Sequence, residues 1–94
     1  MNLDWMDRTV KCLWQGKNIN VEETVLQTNH VVETIVSNME TMKKRGIEFP
    51  IEYVTSALKH FQEALETKDS YRLADCIKYE IKEIAIVYNE IMAE

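Results

Sequence analysis

The chain has 94 residues, enough for one domain with a single compact core but not for a core beside a deep enclosed active site. Hydrophobic residues make up 46% and charged residues 29%, an ordinary globular balance, so the whole chain is expected to fold as one unit, 1–94. The net charge of -5 argues against duplex nucleic acid and anionic membrane as partners, because both need a cationic surface.

Only two glycines and one proline interrupt the chain. Turns draw on these residues, so their scarcity implies few connections and long regular elements. The richness in Glu, Lys, Met and Leu makes those elements helices. The expected architecture is all-α: an antiparallel bundle of three long helices (about 20–45, 50–67 and 70–92) with a short N-terminal helix (about 3–15).

In the N-terminal segment Leu3, Met6, Val10 and Leu13 recur at helical spacing, with Trp5 and Trp14 flanking the stripe and Gly16 able to end it. Early acids and the lack of a long apolar stretch speak against a signal sequence. Two cysteines, Cys12 and Cys76, are too few for a disulfide framework, and both read as free thiols in a reducing compartment. Cytoplasmic localisation is expected.

The second segment carries the clearest pattern. Val21, Val25, Thr28, Val32, Ile35, Met39 and Met42 alternate in steps of four and three, a heptad seam, with Leu26 and Val36 widening it. Asn20 followed by Glu23 resembles a capping box. Gly46 can take the left-handed conformation that closes a helix, with Ile47 making the accompanying apolar contact. Lys43, Lys44 and Arg45 are the one cationic cluster, placed where a helix C-terminus favours positive charge.

The third segment opens at Pro50, tolerated at a first helical position. Its seam is Ile51, Val54, Leu58, Phe61 and Leu65, with Ala57 and Ala64 beside it. Asp69 or Ser70 caps the fourth segment, whose seam is Ala74, Ile77, Ile81, Ile84, Tyr88 and Ile91. Loops this short force neighbouring helices to run antiparallel. The longest apolar run, Ile84 to Tyr88, falls far short of the roughly 20 residues of a membrane span.

Chemistry-bearing patterns are sparse. His30 with Glu33, and His60 with Glu63, sit three apart on one helix face. Carboxylate-bridged metal bundles use the reverse order, Glu-x-x-His. Both histidines lie away from their seams and are expected in solvent. Glu80 and Glu83 could pair as acid and base, but Lys78 and Lys82 nearby make a solvated charged face the simpler reading; Glu80 lies on the shoulder of the core stripe. Neither cysteine has a base or second thiol at ligand spacing. Two isolated glycines cannot form a phosphate loop. The expectation is no catalytic, cofactor-binding or metal site, and no small-molecule substrate.

Apolar residues off the seam carry more information. Around the last helix, Tyr79 and Ile86 fall opposite the seam, one heptad apart, with Cys76 and Val87 towards one flank. A helix at the edge of a bundle is normally polar there. The first helix, with Trp5 and Trp14, could cover this second face, or another chain could. Trp5, Trp14, Cys76, Tyr79, Ile86 and Val87 are therefore the candidate interface, for a protein partner or for self-association as a homodimer.

The run from Asp69 to Ile81, with Leu73-Ala74-Asp75 and Tyr79-Glu80, resembles a segment of small helical proteins of Gram-positive bacteria to which no activity is assigned. The resemblance covers about a quarter of the chain. It implies an all-helical fold and a bacterial source, and it brings no site residues beyond Tyr79 and Glu80 as a contact within the bundle or across an interface. In size and build the chain is also similar to flagellar export chaperones, a likeness of shape that does not carry function. The expected role is a non-enzymatic interaction module, a small adaptor or chaperone that shields an amphipathic helix. The alternative is a metal-dependent or acid–base enzyme built from Glu33, Glu63, Glu80, His30 and His60.

Overall fold

A computed structural model describes residues 1–93. All regular structure among the described residues is helical: α1 (Asp4–Trp14), α2 (Val21–Ser37), α3 (Met39–Lys44), α4 (Ile51–Thr67), α5 (Ser70–Cys76), a π-turn (Ile77–Ile81) and α6 (Lys82–Ala93). Three long units result, each bent or continuous, plus the short α1. The unit formed by α5, the π-turn and α6 is one rod of about 36 Å at 1.5 Å per residue, in a molecule of 43 × 22 × 19 Å.

Local sequence sets the ends. Asn20 accepts a hydrogen bond from the Glu23 N–H at 3.0 Å, and Asp69 does the same for the Arg72 N–H at 3.0 Å. Each satisfies a donor that the helix cannot. Gly16 and Gly46 both adopt left-handed backbone, with φ of +70° and +77°. In each case the next residue's N–H reaches back five positions, Lys17 to the Cys12 carbonyl and Ile47 to that of Met42, both at 2.9 Å. These are Schellman closures, and Ile47 folds onto the core as such closures favour. The α4 terminus closes the same way without glycine: Lys68 takes φ +55° while the Asp69 N–H bonds the Ala64 carbonyl at 3.2 Å. Pro50 precedes α4 as its cap residue instead of opening the helix.

The helix expected over 20–45 is interrupted at Asn38. In a regular helix the Asn38 N–H would take the Thr34 carbonyl. Here the Asn38 side-chain amide takes it at 2.8 Å, and the main-chain N–H turns to Ile35 at 3.1 Å. A side chain inserted in the ladder bends a helix. The same amide nitrogen donates to the Tyr88 hydroxyl at 2.9 Å, so the bend is tied to α6.

The bundle alternates up and down. Met1 reaches Asn89 and Asp7 reaches Lys82, which sets α1 antiparallel to the rod. Cys76 bonds the Ala57 carbonyl and Arg72 bonds Glu63, which sets α4 antiparallel on the rod's other flank. Both helices approach the rod closely. Small buried residues allow this: Ala57 and Ala64 on α4, Ala74 and Ala85 on the rod. The helix α2 stands farther out and fills the gap with larger side chains, Val31, Ile35 and, beyond the bend, Met42 of α3.

The buried stripes are therefore rotated from the expected seams. Thr24 and Val31 are buried where Val21 is exposed, and the alanines of α4 are buried where Ile51 is exposed. Leu26 and Val36 also face out. Thr28 lies at the centre of α2's inward face, and its hydroxyl is buried without a hydrogen-bond partner among the described residues.

Two stability changes follow. Lys68→Gly relieves a left-handed residue that carries a Cβ, and chemical denaturation should show a gain of about 1 kcal/mol. Thr28→Val keeps the shape and removes the unpaired hydroxyl, and should gain about 1–2 kcal/mol in the same measurement.

Candidate functional site

The rod turns one flank to α1, one to α4, and a third face outward. On the α4 side the π-turn is explicit in the backbone, because the Lys82 N–H bonds the Ile77 carbonyl five residues back. Such turns insert an extra residue into a helix and occur often at functional sites. Glu80 lies within this turn. Its Oε1 sits 2.6 Å from Nδ1 of His60 on α4. Beside them Arg72 donates to Glu63 at 3.0 Å. His60, Arg72 and Glu80, with Asp75, Cys76 and Tyr79, line a shallow, open depression.

The sequence sets His60 and Glu63 three apart on one helix face, towards solvent. The fold instead gives Glu63 to Arg72 and His60 to Glu80, a contact across helices that no local spacing announces. His30 and Glu33 lie exposed on α2, away from this cluster. Among the described residues, no group of three His, Cys, Asp or Glu side chains has the arrangement to hold a metal ion.

An imidazole oriented by a carboxylate is a pairing that acid–base chemistry uses. This one is wet, with the His60 and Glu80 side chains 48% and 35% exposed. Exposed ion pairs contribute about 0–1 kcal/mol, so its weight in stability is small. The neighbouring thiol is no nucleophile. Burial pushes the Cys76 thiol up from 9.0 to about 12, and the Glu80 carboxylate adds to this through its negative charge and as an acceptor. Arg72 pulls weakly the other way. A thiol this hard to ionise stays protonated and packs as a small apolar group.

The six candidate interface residues separate. Cys76 is buried in the core, 3% exposed, and cannot meet a partner directly. Trp5 is half-buried against the core and lines a groove between α1 and α2 with Glu23 and Gln27. Trp14 and Tyr79 come together around Lys78, whose ammonium lies 4.4 Å from the Trp14 ring centre and 5.2 Å from that of Tyr79. Cations are held over aromatic faces by the ring quadrupole. Tyr79 is nevertheless 60% exposed and Trp14 41%. Ile86 is half-buried and Val87 exposed farther along the same face. The first helix thus lies beside the rod without covering its outward face. The link from Trp14 to Tyr79 through Lys78 was not legible beforehand, since only the fold brings Trp14 there.

Among the described residues no helix is long and apolar enough to cross a membrane.

The thiol environments differ enough to test. Native protein treated with an aromatic disulfide reagent should modify half-buried Cys12 and spare Cys76, whereas unfolded protein reacts at both. A thiol whose folded pKa is raised contributes stability that is full below the unfolded value near 9 and is lost as pH rises towards about 12. Denaturation free energies should therefore fall across that window, and Cys76→Ala should flatten the decline.

Comparison with protein-family models, with curated proteins and with solved structures returned no match to this chain.

Proposed function

We propose that this chain is a non-enzymatic protein-interaction module, a small cytoplasmic adaptor or chaperone that works through the outward face of its C-terminal rod. The observation behind this reading is that Trp14, Tyr79 and Val87 stay exposed although α1 packs alongside. Tyr79 and Val87 along the rod, with Trp14 of α1 beside Tyr79, supply the kind of large aromatic and branched anchors that helix-against-helix recognition uses. Their polar surroundings leave a rim that can select between partners.

A second reading, an acid–base or metal-dependent enzyme, draws on the His60–Glu80 pair at the π-turn. It requires the depression to shed water around a substrate, and its open form supplies little enclosure. Metal retained through purification would favour it.

Site-specific photocrosslinking in the producing cells tests the interaction reading. A photoreactive phenylalanine analogue at position 79 should give a discrete adduct, and the same probe at exposed Glu40 on α3 should not. An adduct of twice the chain's mass marks self-association, and any other discrete mass marks a distinct partner. Equal or absent adducts at both positions would remove the case for this face.

A further inference from the structure

The outward face of the rod carries charge as well as apolar anchors. Asp75, Tyr79, Glu83 and Val87 follow one another in steps of four, and Ile86 and Glu90 continue the stripe. Asp75, Tyr79, Glu83, Val87 and Glu90 are all exposed. Three carboxylates thus alternate with the apolar anchors along a single line.

What lies near them decides which partner fits. The rod has three cations, Arg72, Lys78 and Lys82. Two are engaged elsewhere, Arg72 with Glu63 of α4 and Lys82 with Asp7 of α1 at 2.6 Å, while Lys78 lies over the Trp14 and Tyr79 rings at the α1 edge of this face. Asp75, Glu83 and Glu90 enter no ion pair among the described residues. Two of the rod's three cations are drawn to carboxylates on the flanks, and none pairs with the outward carboxylates among the described residues.

From this geometry we infer that the outward face of the rod docks a basic amphipathic helix, with lysine or arginine flanking an apolar seam. Apolar residues of that helix sit on Tyr79, Ile86 and Val87. With the extra residue of the π-turn beside Tyr79, Tyr79 and Val87, eight apart and both exposed, stand about two turns from each other on this face, a spacing that a helix laid along the rod can meet. Its cations meet Asp75, Glu83 and Glu90. A second copy of the chain fits less well. A two-fold interface apposes the same patch on both subunits, so these carboxylates would face their own images.

This inference rests on the interaction reading above, and one titration separates the two. The labelled 94-residue chain is mixed with three synthetic peptides of about 18 residues, five helical turns. One has leucine at alternating three- and four-residue spacing with lysine elsewhere. The second replaces the lysines with glutamate. The third permutes the lysine peptide so that the leucines share no face. The ordered lysine peptide should shift the amide resonances of Tyr79, Glu83 and Val87, and should bind at least about tenfold more tightly than the permuted one, a gap of about 1.4 kcal/mol. Salt should weaken that binding, because exposed charges are screened. Glu83→Lys should reduce affinity about tenfold with an unchanged melting temperature.

If the glutamate peptide bound as tightly as the lysine peptide, the charge inference would fall and the interaction reading would stand. If no peptide shifted this face, or the shifts lay in the groove between α1 and α2, both would fall. A dimer in sedimentation that protects Tyr79 would overturn the basic-helix assignment in favour of a second copy.

Discussion

The C-terminal rod has to satisfy three neighbours at once, and the rest of the molecule is arranged around that demand. Its alanines let α1 and α4 come close, while Ile77 and Ile81, 0% and 2% exposed, fill the centre. Those two isoleucines bound the π-turn. An extra residue in that turn changes the phase of everything after it. It brings Glu80 round to His60 while Ala85 and Tyr88 still point inward. An uninterrupted α-helix of the same sequence would hold the inward stripe or the cross-helix contact with more difficulty, since 3.6 residues per turn drift steadily away from a seven-residue repeat.

Much of the architecture was legible in the residues. Caps announce themselves locally, because the side chain or glycine that closes a helix belongs to that helix. Asn20, Asp69, Gly16 and Gly46 all act where their chemistry places them. The number, order and approximate span of the long helices follow from those caps and from the apolar periodicity.

The phase of each buried stripe was less legible. Periodicity marks which residues are apolar, but the packing distance decides which of them reach the centre. Where helices approach through alanine, as on α4, the small residues are innermost and Ile51, Leu58 and Leu65 move to the edge. The bend at Asn38 and the π-turn were hidden for a related reason. Both depend on hydrogen bonds whose partners lie in the backbone geometry or fifty residues away, as Tyr88 does from Asn38. The surface divided likewise: the outward position of Tyr79 and Ile86 could be projected from one helix, whereas the company each keeps depends on how its neighbours lie.

The two tryptophans end up in unlike settings. Trp5 is half-buried in the groove between α1 and α2 near Arg8 and Glu23, while Trp14 is exposed with an ammonium group against its ring. Indole emission follows local polarity and is sensitive to a neighbouring cation. The chain consequently carries two optical reporters of different colour, one tuned to the integrity of the fold and the other to whatever disturbs Lys78.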